Sequence, residues 1–145
     1  IKKYQTPETW RSVWQIANSI LPYLALWYLM YWSLSVSYLL TLALAVPAGG
    51  LVMRIFILQH DCGHGSFFKS QKANDRFGTI CGFLTMIPYY QWRHEHAIHH
   101  ASSGDLSRRG TGDVTTLTVK EYQALSPLKR LRYRAYRSMP VLLLI

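Results

Sequence analysis

The sequence predicts an all-α membrane protein, with a transmembrane helical hairpin followed by cytoplasmic and interfacial helices that carry histidine clusters. Three observations support this fold class. Residues 12–58 contain a single charged residue, Arg54. All six histidines of the 145-residue chain fall between positions 60 and 100. Basic residues flank the apolar part but are absent near residues 31–37, where the hairpin turn is expected. The length leaves room for one domain.

Two apolar segments, about 12–32 and 36–58, form the predicted hairpin. Each reaches the roughly 20 residues that a membrane-spanning helix needs. Neither segment has a polar face, which argues against a buried hairpin in a soluble protein. Thr6-Pro7-Glu8 predicts the start of the first helix, with Thr6 as its N-cap.

The distribution of basic residues predicts the orientation of the hairpin. Lys2, Lys3 and Arg11 precede the first apolar segment, and twelve of the 16 basic residues follow position 68. Loops rich in lysine and arginine stay in the cytoplasm, so we expect both ends of the hairpin, and the histidines, on the cytoplasmic side. The net charge of +9 is typical of nucleic-acid binding, but this placement indicates a membrane and no nucleic acid.

The histidines lie in two short segments, and their spacing predicts a metal site. The first two are four residues apart, and the last three lie within an arc of roughly 100° if residues 94–100 are helical. The remaining histidine, His94, points about 160° away from this face and is excluded. The predicted metal ligands are His60, His64, His96, His99 and His100.

The residue types narrow the metal chemistry without fixing it. Neutral imidazoles bind zinc, copper, iron and nickel. A zincin motif is excluded because Ile98 stands where HExxH needs its second histidine. Five histidines exceed the ligands of one four-coordinate zinc, which favours two metals, and two irons with open positions activate dioxygen. No motif indicates catalytic residues other than metal ligands, or a dinucleotide site.

Two acids and two cysteines adjoin these segments. Asp61 and Glu95 are each next to a predicted ligand, and we expect them to accept the second ring N–H of a histidine; the alternative is a solvated surface acid. Cys62 and Cys81 form no CxxC pair and are interpreted as buried, reduced thiols.

The remaining segments predict short helices. Asn74-Asp75 is expected to cap a helix that runs to about Tyr90 and is too short to span a membrane. Thr118-Val119-Lys120-Glu121 matches a capping box. Ser126-Pro127 opens a basic helix that we expect to meet anionic lipid headgroups, the alternative being a solvated basic helix. A third, truncated transmembrane segment is expected from residue 140.

Residues 60–68, HDCGHGSFF, resemble the first histidine box (HxxxH) of membrane fatty acid desaturases. Residues 92–101, WRHEHAIHHA, resemble the second (HxxHH). Their spacing, the preceding hairpin and the segment from Gly112-Asp113 to Tyr122 are similar to bacterial acyl-lipid desaturases of the Δ12 kind. The third box of that family has no counterpart here. We therefore expect residues 1–145 to be a partial, N-terminal desaturase domain that is inactive alone.

This resemblance implies an integral protein of the bacterial inner membrane with a cytoplasmic centre of two non-haem irons. It implies the use of O2, and of electrons from ferredoxin or cytochrome b5, to introduce a cis double bond into the fatty acyl chain of a membrane lipid. Two alternatives stay open. One is a related membrane di-iron hydroxylase or ketolase, and the other is a non-enzymatic membrane protein that binds metal.

Overall fold

The computed structural model describes residues 6–110 and 114–142, which form seven helices and no strand. The all-α prediction is confirmed for this part of the chain. The helices are α1 (Thr9–Ser33), α2 (Tyr38–Gly63), α3 (Gln71–Thr85), α4 (Tyr89–Ser102), α5 (Val119–Ala124), α6 (Pro127–Tyr136) and α7 (Met139–Leu142). Gly112, Asp113 and residues 143–145 of the expected third apolar segment lie outside the described residues.

The chain divides into two compact units, Ile1–Ala97 and Ile98–Ile145. In the first unit, α1 and α2 pack side by side and are joined by a short turn. At the turn, the hydroxyl oxygens of Ser33 and Thr41 are 2.7 Å apart. Further along the pair, the Arg54 guanidinium donates to Oδ1 of Asn18 at 2.7 Å. These two polar contacts join α1 to α2.

Both long helices were predicted, but their ends differ from the prediction. The N-cap of α1 is Glu8, so the assignment of Thr6 was wrong. The Glu8 carbonyl accepts the first turn's N–H groups, and its carboxylate pairs with Arg11 at 2.8 Å. α2 continues to Gly63 rather than ending near residue 58. The first histidine cluster therefore belongs to the end of this helix instead of following it.

Of the two predicted spans, only the second meets both requirements for crossing a membrane. Among the described helices, α2 alone combines sufficient length with a sufficiently apolar composition. α1 has 25 residues but is less apolar. Large apolar side chains on both helices are exposed, including Tyr31 (77%), Leu39 (77%) and Val46 (76%). The exterior of the pair is thus apolar along both helices.

The region predicted as one helix up to Tyr90 is broken into two. α3 ends at Thr85 because Met86 adopts a left-handed conformation with φ of 59°. Pro88 then stands immediately before α4, where its ring favours a new helix start rather than a continuation. The break allows α4 to leave α3 in a new direction.

The predicted cap at Asn74-Asp75 was also wrong. The N-cap of α3 is Ser70, whose hydroxyl accepts from the Ala73 N–H. Asn74 lies inside the helix and is buried. Its side chain bonds both the N–H and the carbonyl of Phe68, at 2.8 and 2.9 Å. It therefore holds the loop that precedes the helix rather than the helix end.

In the second unit, Glu121 organises the start of α5. The predicted capping box is confirmed: the Thr118 hydroxyl accepts from the Glu121 N–H, and the Glu121 carboxylate accepts from the Thr118 N–H. Arg109 donates two further hydrogen bonds to this carboxylate, at 2.7 and 2.9 Å. The bonds from Arg109 and then from Thr118 lower the pKa of Glu121 to about 2.

Candidate metal centre

The first unit brings histidines from the two sequence segments together. His60 lies on the last turn of α2, and His64 follows one turn later as its C-cap. His96 lies on α4. The ring centroids are 4.5 Å apart for His60 and His64, 4.7 Å for His60 and His96, and 5.0 Å for His64 and His96. The predicted convergence of the two segments is therefore present.

The separation of the ring nitrogens fits ligands that share one cation. Nε2 of His64 lies 3.2 Å from Nε2 of His60 and 3.2 Å from Nε2 of His96. Imidazole nitrogens bind a metal at about 2.0–2.1 Å, so at angles of about 90–110° they stand about 2.8–3.4 Å apart. The observed separations fall within this range. Neutral imidazole is also the donor that iron and zinc accept.

α4 carries the other histidines. His100 follows His96 by one helical turn on the same face of this helix. The ring centroids of His99 and His100 lie 5.6 Å apart. The assignments of His99 and His100 as ligands stay predictions. His94 is exposed.

The two acids singled out from the sequence have different partners. Oδ1 of Asp61 lies 3.2 Å from Nδ1 of His60. A hydrogen bond there places the ring proton on Nδ1 and directs the lone pair of Nε2 toward the other histidines. Glu95 accepts a hydrogen bond from the Gln91 amide at 3.1 Å on its own helix. The role proposed for Glu95 therefore stays a prediction.

Sequence reasoning missed the role of Trp92, whose ring lies between Gly63 on α2 and His96 on α4. Trp92 stacks on His96, with ring centroids 4.6 Å apart and an interplanar angle of 17°. A Cβ at Gly63 would stand 2.8 Å from the Trp92 ring, so this approach requires a glycine. The spacing of Trp92 and His96, four residues on one helix, was the available signal. The position of Gly63 between two histidines carried no such signal.

α3 supports the site from behind through Asp75. The Arg93 guanidinium donates to Oδ1 of Asp75 at 2.8 Å, and the Tyr89 hydroxyl lies 3.2 Å from the same oxygen. That hydroxyl is also 3.0 Å from the Cys62 carbonyl on α2. Burial, the largest cause, raises the pKa of Tyr89 to about 12, which keeps the hydroxyl protonated as a donor. These residues connect the three helices that surround the histidines.

The cysteines are not suited to be ligands. Cys62 and Cys81 are buried and form no disulfide, which confirms the prediction of buried, reduced thiols. Burial raises the pKa of Cys81 to about 12. Burial therefore favours the protonated thiol at neutral pH, whereas the thiolate is the form that binds metal.

The chain is similar in sequence to known proteins. A family model described as fatty acid desaturase matches residues 37–144. The chain belongs to the fatty acid desaturase family. The family recognition made from the two histidine segments is thereby confirmed, and these desaturases are oxidoreductases. No solved structure gives a significant match to the fold.

Relatives of this desaturase chain include enzymes of more than one kind. A fatty acid desaturase of Bacillus subtilis (strain 168) is 51% identical over 138 residues, covering 95% of this chain and 39% of the relative. An sn-1 acyl-lipid omega-3 desaturase (ferredoxin) of Synechocystis is 41% identical over 58 residues, 40% of this chain and 16% of the relative. An oleoyl-12-hydroxylase of Ricinus communis is 30% identical over 95 residues, which cover 66% of this chain and 22% of the relative. The chain thus spans well under half the length of these relatives.

Proposed function

We propose that this desaturase chain supplies a membrane helix pair and part of a di-iron site that introduces a cis double bond into the fatty acyl chain of a lipid. One observation carries the proposal. His60, His64 and His96 converge at the end of a helix long and apolar enough to cross a membrane. A cation held there would lie at the end of the membrane helix, where we propose that an acyl chain reaches it.

The donor set fits iron, because it consists of neutral imidazoles without a thiolate. We assign the iron ligands as His60, His64, His96, His99 and His100. When bound, the iron pair supplies the activation of dioxygen. Asp61 keeps the proton of His60 on Nδ1, and Trp92 fixes the plane of the His96 ring. The acyl chain loses two hydrogens, and O2 takes up two further electrons and two protons to give two waters.

We further propose that α1 and α2 form a transmembrane hairpin in the bacterial inner membrane, with the histidines on the cytoplasmic side. The exposed apolar side chains of both helices support contact with lipid. The flanking basic residues support the orientation. For the electron donor we propose ferredoxin or cytochrome b5, and the name of the Synechocystis relative supports the former.

A chimera tests this function. The matching segment of the Bacillus subtilis desaturase is replaced by this chain, and the chimera is expressed in cells without a desaturase. We expect iron in the purified protein and double bonds in the cellular acyl chains. His64→Ala should remove both, and His94→Ala, the matched control, should retain both. His99→Ala tests the remaining ligand assignment.

Other results of the chimera experiment would refute the ligand assignment or favour an alternative function. Iron and double bonds that persist at parent levels in His64→Ala would refute the ligand assignment. A hydroxylated acyl chain in place of a double bond would support the hydroxylase alternative, which the Ricinus communis relative favours. Bound metal without any modified lipid, in a chimera whose parent is active, would favour the non-enzymatic alternative.

A further inference from the structure

α6, in the second unit, has an exposed apolar face. Leu128, Leu131 and Ala135 lie within an arc of about 60° on this helix. Leu128 is 58% exposed and Leu131 is 63% exposed. The two leucines lie side by side and form an apolar strip on the outside of this short helix.

The opposite side of α6 is held by contacts within the unit. The Arg130 guanidinium donates to the Leu125 carbonyl at 3.0 Å, and the Tyr133 hydroxyl accepts from the Leu117 N–H at 3.1 Å. Both side chains are half-buried. These bonds fix the rotation of α6 about its axis. The leucines consequently face outward because of the fold of the unit, and a rotation that buried them would break both bonds.

The charge around the leucines has one sign. The helix and its C-cap contain five basic residues and no acid, namely Lys129, Arg130, Arg132, Arg134 and Arg137, and residues 122–142 contain no Asp or Glu. Arg132 and Arg134 are exposed on either side of the leucine face. Long arginine side chains in such positions extend their charges to the level of phosphate groups while their stems cover apolar surface.

We propose that α6 lies flat on an anionic lipid surface, with Leu128 and Leu131 inserted and with Arg132 and Arg134 on the headgroup phosphates. Helices of this composition bind the interface through buried apolar area and attraction to anionic lipid. An acidic protein partner would need an apolar patch flanked by acids, whereas an anionic bilayer offers both environments along its whole surface. The combination of a leucine face with flanking arginines therefore favours lipid. The inference goes beyond the metal centre and does not depend on it.

The test places a fluorophore on each side of α6 in the full chain. Leu131→Cys and, as the matched control, Lys129→Cys are labelled with an environment-sensitive dye. The chain is reconstituted in phosphatidylcholine vesicles with or without phosphatidylglycerol. The native cysteines are buried, and the parent chain treated with dye is the blank. We expect the dye at position 131 to shift to the blue and to be quenched by lipid-linked quenchers in anionic vesicles. The dye at position 129 should stay in water.

Charge removal gives the second measurement. Arg132→Gln with Arg134→Gln, in the Leu131→Cys background, should weaken insertion into anionic vesicles roughly thirtyfold, from two phosphate contacts. Circular dichroism checks that the helices are retained. High salt should reproduce part of the loss by screening.

Three results would overturn the proposal. The first is a dye at position 131 that stays in water with anionic vesicles. The second is an equal shift at positions 131 and 129. The third is a response to soluble polyglutamate without a response to anionic vesicles, which would assign α6 to an acidic protein. Unchanged insertion of α6, together with a chimera that binds no iron and makes no double bonds, would contradict the proposed function alone.

Discussion

At the scale of single residues, Asp61 decides which nitrogen of His60 faces the metal site. Replacing its charge by an amide in Asp61→Asn weakens the hold on the Nδ1 proton and lowers the basicity of Nε2. We expect a loss of metal affinity of about 10- to 100-fold. Titration of the full chain with Co2+, followed by its absorption bands, measures this change.

Glu95→Gln is the comparison for Asp61→Asn. Glu95 bonds Gln91 rather than an imidazole, so its substitution should change the Co2+ affinity much less. Equal losses in both variants would show that the effect of Asp61 is general electrostatics rather than control of the tautomer.

Gly78 is a second residue with a measurable role. A Cβ at this position would stand 2.3 Å from the Tyr89 ring, which is 3% exposed and tied to Asp75. Because the ring has nowhere to move, Gly78→Ala should destabilise the first unit by about 1–3 kcal/mol. Unfolding in denaturant, monitored in detergent, measures the change.

Gly49→Ala is the matched control for Gly78→Ala. A Cβ at Gly49 meets nothing within 4 Å. Alanine also favours a helix over glycine by about 1 kcal/mol. The control should therefore be neutral or more stable, and a comparable destabilisation of both variants would contradict the steric argument.

At the scale of residues, the sequence predicts which side chains share a helix face better than it predicts bonds between residues far apart in the chain. The i, i+4 pair of His60 and His64 and the face of His96 and His100 follow from helix geometry alone. The Asp75–Arg93 bond joins residues 18 positions apart, across a break between two helices. No local pattern encodes that bond, because it depends on where α3 and α4 meet.

At the scale of elements, the start of α5 depends on an ionised Glu121. Its pKa of about 2 lies below its ordinary value of 4.5. A lowered folded-state pKa means that the stabilisation is complete above about 4.5 and disappears as the pH falls toward about 2. We expect hydrogen-exchange protection of the α5 amides to decrease over this range.

The control for the pH dependence is Glu121→Gln. Its side chain does not titrate, so the α5 protection that remains should be the same at both ends of this pH range. Asp105 also has a lowered pKa, caused by bonds from Ser107, and its titration is unaffected by the substitution. A parent-like pH dependence in Glu121→Gln would assign the effect to Asp105.

The helices themselves were largely predictable, whereas some of their ends were not. Thr118 and Glu121 form a reciprocal motif that is readable from four consecutive residues. The end of α3 is set by the left-handed backbone of Met86, a residue whose type gives no warning of that conformation. The cap of α3 at Ser70 was missed because the buried Asn74 offered a stronger local signal.

At the scale of the whole molecule, the proposed hairpin predicts the side on which each segment is exposed. In intact bacterial cells, Ser35→Cys in the turn between α1 and α2 should react with a membrane-impermeant thiol reagent. Lys72→Cys, on α3, should react only after the membrane is opened. The buried native cysteines should react in neither condition.

The same labelling experiment can also contradict this topology. Reaction of both engineered cysteines in intact cells, or of neither after permeabilisation, would contradict a hairpin with its ends in the cytoplasm. The sequence predicts this topology from charge and hydropathy. Length alone overestimated α1, because the polar and aromatic residues of this helix lower its mean hydropathy without interrupting it.

Because α2 runs without a break from Tyr38 into the first histidine cluster, its length and rotation determine where His60 lies. With a rise of about 1.5 Å and a rotation of about 100° per residue, one inserted residue would both lift His60 and turn it away from α4. Seven inserted residues, close to two full turns, would preserve the direction of the ring while moving it about 10 Å. Under the proposed function, the length of α2 therefore sets the depth at which a substrate carbon is reached, separately from the direction in which the histidines point.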